Sequence, residues 1–206
     1  MIEILWAEPA RDLESYLNLE QLAAAPYCDF VYGDPKVAHR VHRALLVAGA
    51  GEFASPHGKL AVAADGSVLG MVAGPLRGKR LAQARLAAAA WLRNLPEFVA
   101  DPGIRARMSL ARGALLAVGD DDAYLSRIAV AENARGRGIG RALLQRFEED
   151  ARASGARRAV LEVAPQHTRA LDLYRRSGFT ERTFCEVADP STGRSLGYHH
   201  LVLGLA

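Results

Sequence analysis

YLSRIAVAENARGRGIGRALLQRFEEDARA, Tyr124 to Ala153, changes its character twice along its length. From Tyr124 to Val130 the residues are aromatic, β-branched and apolar, which predicts a strand. A turn with Glu132, Asn133 and Arg135 follows, and three glycines, Gly136, Gly138 and Gly140, lead into a helical period. Ile139, Leu143, Phe147 and Ala151 recur at intervals of four on one face, while Gln145, Glu148, Glu149 and Arg152 take the other, with Glu148 and Arg152 spaced to pair. The reading is strand, glycine loop and a helix that packs on a sheet along one side. Glycines let the loop bend and bring backbone N–H groups close to a ligand, and the first turn of a helix carries unpaired donors and partial positive charge. Arg135, Arg137 and Arg141 add full charges. The loop is therefore a candidate cradle for phosphate or pyrophosphate.

Spacing narrows the ligand. A Walker A loop needs Lys and then Ser or Thr after its last glycine, and here Arg141 and Ala142 follow Gly140. A dinucleotide fingerprint reads G-x-G-x-x-G, whereas these three glycines read G-x-G-x-G. RGRGIG, Arg135 to Gly140, instead resembles the acyl-CoA loop of the GNAT N-acetyltransferase superfamily, R/Q-x-x-G-x-G/A. LEVAPQHTRALDLYRRSGF, Leu161 to Phe179, is similar to that superfamily's next strand and helix, matching at Leu161, Val163, Ala170, Leu173, Tyr174, Gly178 and Phe179. One position departs, since His167 stands where the family usually has Asn. The matched stretches span Tyr124 to Phe179, about a quarter of the chain.

The resemblance implies an acetyl-CoA-dependent N-acetyltransferase working by direct transfer in a ternary complex, with acetyl-CoA as co-substrate and no metal. Its acceptor would be a small-molecule or peptide amine. Cofactor contacts would come from Ile128, Ala129 and Val130 of the strand, from the loop residues Arg135, Gly136, Arg137, Gly138, Ile139, Gly140 and Arg141, and from His167 and Tyr174. An aliphatic amine must lose a proton before it attacks a carbonyl, and the departing thiolate must regain one. Tyr174 matches the family's general acid; otherwise it is a core tyrosine. Glu162, a carboxylate inside an apolar strand, is the candidate base or else a salt-bridge partner. Glu52 or a water-relayed base stands behind it. The run from Glu162 to Tyr174 also resembles bacterial ribosomal-protein alanine acetyltransferases, which keeps a protein N-terminus among the acceptors. A non-catalytic acyl-CoA-binding regulatory module is the other alternative, to which His167 gives some support.

The rest of the chain fits around this centre. Its 206 residues, 50% hydrophobic with net charge +3, suit one soluble domain. No run approaches the roughly 18 to 20 apolar residues of a membrane span. The first residues, MIEILWAEPARDLE, carry acids where a signal peptide is basic, so a cytoplasmic location and no membrane partner are expected. Cys28 and Cys185 read as packing residues of a reducing compartment. Ile2 to Trp6 predicts a strand, and Arg11 to Ala24 a helix facing inward with Leu13, Leu17 and Leu22 until Pro26 interrupts it. Pro35 opens a second helix with Val37, Val41, Leu45 and Ala48 inward. Lys59–Ala64 and Val68–Ala73 flank Asp65-Gly66 as a hairpin, and Thr183–Ala188 and Tyr198–Leu205 close the chain as strands.

Residues 77–118 look like a helical insertion. One face holds Leu81, Ala84, Ala88, Trp91, Leu92 and Leu95, and another Ile104, Met108, Ala111, Leu115 and Val118, with Pro96 and Pro102 between. From Arg77 to Arg112 eight Lys or Arg face only Glu97 and Asp101, a surplus of six where the whole chain carries +3. Solvated outer faces, a cap over the acceptor, a nucleic-acid contact and a homodimer interface all remain open uses of it, with nucleic acid disfavoured because no aromatics interleave the basic residues. The expected fold class is α/β of the α+β type: one central mixed, mostly antiparallel sheet with helices on both faces and this hairpin inserted.

Overall fold

The computed structural model describes residues 2–54 and 57–205. In chain order the elements are β1 (Ile2–Trp6), α1 (Pro9–Val31), α2 (Pro35–Val47), β2 (Gly58–Ala63), β3 (Val68–Ala73), α3 (Gly78–Leu92), α4 (Pro96–Ala100), α5 (Pro102–Ala111), β4 (Asp122–Leu125), β5 (Arg127–Val130), α6 (Ile139–Ala153), β6 (Arg158–Val163), α7 (Thr168–Arg176), β7 (Thr180–Asp189) and β8 (Arg194–Gly204). The mixed, mostly antiparallel architecture with helices on both faces is as expected. In place of one continuous sheet there are two of four strands, ordered β1-β2-β3-β5 and β4-β6-β8-β7, with β4 and β6 the parallel pair.

Strand alternation divides the interior. Met71 and Ala73 of β3 join Leu60 and Ala129 in a core under α1 and α2, whereas Val72 between them turns to the other face with Ala61. That second core takes Ile139, Leu143, Leu144, Phe147 and Ala151 of α6, the face that the four-residue recurrence predicts, and Leu161 and Val163 of β6. Fully burying each of the large apolar side chains here stabilises by about 1.5–3 kcal/mol relative to leaving it exposed. On α6's outer face Arg152 donates to Glu148 at 3.4 Å, as the spacing predicts. Tyr124 of β4 alternates away from Ala123 and Leu125, and packs with Leu76, Leu81, Leu116 and Val160.

Several expectations need correction. Helix α1 does not stop near Ala24 but runs on to Val31, because Cys28, Phe30 and Val31 beyond Pro26 are buried in the first core and tertiary packing outweighs the lost N–H. Leu22, expected inward, is 37% exposed. In the insertion, helix α5 ends at Ala111 and a short 3-10 turn over Arg112–Ala114 leads into extended chain at Leu115, so Leu115 and Val118 lie on no helical face. Trp91 is half exposed, and Leu81 and Leu92 carry the buried face of α3 instead. Among the described residues no helix is long and apolar enough to cross a membrane.

Candidate active site

The expected strand Tyr124–Val130 is two strands. Tyr124 exchanges backbone hydrogen bonds with Leu76, and β4 runs parallel to β6. β5 leaves to pair with β3, and both Ser126, through its N–H to Ala73 O at 2.9 Å, and Arg127 stand opposite Ala73. Two residues opposite one is a bulge, which bends the chain and ends the pairing with β6. β5 is thus the last strand of its sheet. Ala131 donates to Leu69 O on the β3 side, so alternation turns the N–H and C=O groups of Ile128 and Val130 to the free edge and those of Ala129 to β3.

At the end of β5 the glycine loop bends as anticipated. Gly136 and Gly138 have φ of 76° and 79°, and a Cβ on either would meet nothing within 4 Å, which leaves the mouth of the loop open. Gly138 is the N-cap of α6, so the helix's first N–H groups point into that opening. Arg135 turns back instead, donating to Val130 O at 3.3 Å and Glu132 at 3.4 Å, and pins the loop to the strand. Arg137 and Arg141 are exposed beside the loop. Gly140 lies inside the helix, where a Cβ would stand 3.4 Å from Leu173 and 3.6 Å from Val130, so this glycine lets α6 approach α7 and β5.

The parting of β5 from β6 opens a cavity of about 520 Å³. At one end it is walled by Ile128, Val163, Ala164, His167, Ala170 and Tyr174, and on the other side it reaches Tyr27, His42, Glu52, Arg85 and Glu162. Of the residues singled out, it joins Ile128, Glu162, His167 and Tyr174, whereas Ala129, Val130 and residues 135–141 are not in its lining. His167 is the N-cap of α7 but makes no capping bond with its side chain, and burial pulls its pKa below the ordinary imidazole value. Tyr174 is 4% exposed, packs at a tilt against Phe179, and burial lifts its phenol well above its usual range. The hydroxyl stays a proton donor at neutral pH.

Glu162 alternates away from Leu161 and Val163 onto the face that holds Tyr124. One carboxylate oxygen accepts from the Leu116 N–H of the insertion and the other from the Tyr124 hydroxyl at 2.7 Å. Burial, and then the charge of Glu52, raises its pKa against the pull of those donors and of Arg85. Glu52 itself accepts from Arg85 at 2.6 Å and stands 3.7 Å from Arg127. Arg127 continues the chain of charges to Glu20 at 3.2 Å, and Glu20 binds His42 Nδ1 at 2.6 Å. Glu162 is thus held through two hydrogen bonds rather than in an ion pair of its own. Among the described residues no three His, Cys, Asp or Glu side chains gather as a metal site.

Glu20, His42, Tyr124 and Arg127 were not among the sequence candidates. Glu20 and His42 lie on amphipathic helices where a charge reads as outward, and only the crossing of α1 with α2 buries both. The signal that was there is Arg127, a full charge inside an apolar strand, as costly to bury as Glu162 unless paired. The surplus of cations in the insertion has mixed fates: Arg85 enters the cavity, Arg107 is buried on Val31 O at 2.7 Å, and Arg77 holds the Asp120 carbonyl at 2.8 Å.

Breaking this network has a predictable cost. Glu20→Ala leaves buried His42 without its carboxylate and Arg127 with only Glu52 at 3.7 Å, and is expected to destabilise by about 3–5 kcal/mol, read by urea unfolding. Burial lowers the imidazolium of His42, but the Glu20 carboxylate outweighs it and lifts the pKa to about 10. A raised histidine stabilises fully below its unfolded value of about 6.5 and loses that contribution as pH climbs. The melting temperature of the wild type should therefore fall between about 6.5 and about 10 more steeply than that of His42→Gln. Parallel slopes would mean that His42 is neutral in the fold.

The acetyltransferase (GNAT) family model matches residues 19–179. A relative from Azospirillum brasilense named an IAA acetyltransferase is 34% identical over 91 residues, covering 41% of this chain and 60% of that protein. An N-acetyltransferase from Staphylococcus aureus Mu50 superposes with a TM-score of 0.67 at 18% identity, covering 98% of this chain and all of the other. The ribosomal-protein-S18-alanine N-acetyltransferase of Escherichia coli superposes with a TM-score of 0.56 at 19% identity, over 100% of this chain and 95% of the other. At these identities the structural likenesses speak to the fold.

Proposed function

The chain belongs to the GNAT acetyltransferase family, and we propose that it moves an acetyl group from acetyl-CoA to a primary amine by direct attack in a ternary complex. One observation carries this reading: a single cavity joins the free edge of β5 to a buried carboxylate and a buried phenol, Glu162 and Tyr174. The names of the relatives point to different acceptors, so the acceptor has to be argued from this cavity.

The open glycine loop suits the diphosphate, with Arg137 and Arg141 beside it. The edge N–H and C=O of Ile128 and the N–H of Val130, whose C=O Arg135 already holds, suit the amides of the pantetheine arm, laid alongside as an added strand. His167, neutral at physiological pH, offers that arm one donor and one acceptor. Glu162 takes a proton from the ammonium of the acceptor, and its raised pKa makes it a stronger base than an ordinary carboxylate. The lone pair of the neutral amine then attacks the thioester carbon, the attacking nitrogen gives its second proton to solvent as the C–S bond breaks, and the sulfur takes the Tyr174 proton. Amide and free CoA leave, and solvent restores both side chains.

Calorimetric titration with acetyl-CoA, with ATP as control, tests the cofactor, and thiol release with an amine panel tests the reaction. Tyr174→Phe is expected to lower kcat by about 10²-fold or more while leaving acetyl-CoA affinity within a few-fold, the signature of a proton donor. Turnover equal to wild type would remove Tyr174 as the acid. No binding of any CoA species would remove the enzymatic reading.

A further inference from the structure

The acceptor end of the cavity carries its own description of what it takes. Its wall is largely apolar and aromatic, with Tyr27, Tyr32, Phe53, Leu92, Met108 and Tyr198 facing it. Its charged groups do not balance. His42, Arg85, Arg112 and Arg127 line it, against Glu52 and Glu162. Glu20, fully buried behind, is taken by His42 and Arg127, and Glu52 by Arg85 and Arg127. Arg112, solvent-exposed where it lines the cavity, has no acidic partner among the described residues, and the Nη2 of Arg85 is a buried donor with no acceptor among them. The serine at the bulge adds a third loose end, since Ser126 is 8% exposed, lines the cavity, and its buried Oγ has no partner among the described residues. A buried donor without an acceptor costs about 1–3 kcal/mol, which an arriving acceptor group recovers.

The positions of these donors relate them to the base. Arg85 is bound through Nε to the Glu52 carboxylate, which stands 3.5 Å from the Tyr124 hydroxyl, itself the donor to Glu162. Arg112 begins the 3-10 turn whose continuation supplies Leu116, the other donor to Glu162. Four residues of chain span at most roughly 14 Å even when extended, and this stretch begins in a turn. The Arg112 backbone therefore lies within about 14 Å of that of Leu116, Arg85 is near enough for its charge to act on Glu162, and both arginines line the same cavity as that carboxylate. A polycation would meet surplus positive charge here. An amine that brings a carboxylate would supply the missing acceptor and keep its apolar remainder on the aromatic wall.

We propose that the acceptor is a free amino acid or a similar short amino carboxylate with an apolar or aromatic body, its carboxylate bound by Arg112 and the free end of Arg85 and its amine delivered to Glu162. This rests on the acetyl-transfer reading above and narrows it to a substrate class. Arg85 and Arg112 are specificity residues in it and take no part in bond making.

The test compares matched pairs that differ only by the carboxylate, L-phenylalanine against 2-phenylethylamine and L-leucine against 3-methylbutylamine, with spermidine and an alanine-starting peptide amide alongside. Thiol release gives kcat/KM, and calorimetric titration of the same amines into protein saturated with CoA gives binding without turnover. Each amino acid is expected to exceed its decarboxylated twin by at least about tenfold in both readouts, the size of one charge-assisted contact. Arg112→Ala should raise KM for the amino acid and bring that ratio toward one, and Arg112→Lys should recover part of it. Equal or better use of the twins, of spermidine or of the peptide overturns the proposal, as does a ratio untouched in Arg112→Ala. Acetyl-CoA binding with thiol release from the twins alone sinks this inference and leaves the acetyltransferase standing. A chain that binds no CoA species loses both.

Discussion

Replacing Gly138 and Gly140 together by valine is expected to abolish measurable acetyl-CoA binding, at least a hundredfold loss by calorimetric titration. The two positions fail for different reasons. At Gly138 the backbone sits at φ of 79°, a region that costs a β-branched residue on the order of 1–3 kcal/mol, and a side chain would project into the open mouth of the loop. At Gly140 even the Cβ would touch Leu173 and Val130, and the further methyl groups of valine would push α6 away from α7 and β5. The first change fills the space proposed for the diphosphate and the second tilts the helix N-terminus that would face it. Arg137→Ala with Arg141→Ala is the companion variant, because both side chains are exposed and their loss leaves packing alone. It should weaken binding less and reduce its dependence on salt. Unchanged affinity in both variants would mean that the loop serves the architecture only and that the cofactor lies elsewhere.

How far the chain declares itself before folding depends on whether a feature is local. The glycine loop, the buried face of α6 and the α7 segment are legible because their periodicity and spacing lie within one stretch. Pairing is not local. Nothing within Tyr124–Val130 says that Tyr124 will bond Leu76 while Arg127 bonds into β3, yet that change of partner at Ser126 divides the sheet and opens the cavity. The continuation of α1 through Pro26 is hidden for the same reason, since it depends on the core that Phe30 and Val31 enter. The insertion's charge surplus is visible, but which cations turn inward is decided by the helices opposite them: Arg85 meets Glu52, and Arg107 meets the end of α1. Glu162 stood out because a carboxylate between Leu161 and Val163 has a price, and its partners, Tyr124 and Leu116, come from segments distant in sequence.

Glu162→Gln is the change expected to cost the reaction most while costing the fold nothing. The glutamine carbonyl can still accept from the Leu116 N–H, and its amide group can donate to the Tyr124 oxygen, whose own hydrogen then turns toward Glu52 at 3.5 Å. The shape survives and the proposed base is gone, so kcat/KM should fall by about 10²–10⁴ with acetyl-CoA affinity retained. The pH dependence separates this from a structural lesion. Burial first, and Glu52 second, raise the pKa of Glu162, and a base works only when deprotonated, so the wild-type rate should fall on the acid side at a pH above the ordinary carboxylate range. That limb should vanish from the residual activity of the variant. Stability runs the opposite way. A carboxylate with a raised pKa in the fold is a net cost at neutral pH, one that disappears as the pH drops and the group protonates, so a neutral amide there should leave the melting temperature unchanged or higher. A protein that loses activity and gains stability by one substitution has been keeping a costly charge for its chemistry. If instead the variant melts early and keeps its acid limb, Glu162 belongs to the scaffold, and Glu52, the other carboxylate in reach of Tyr124, becomes the candidate base.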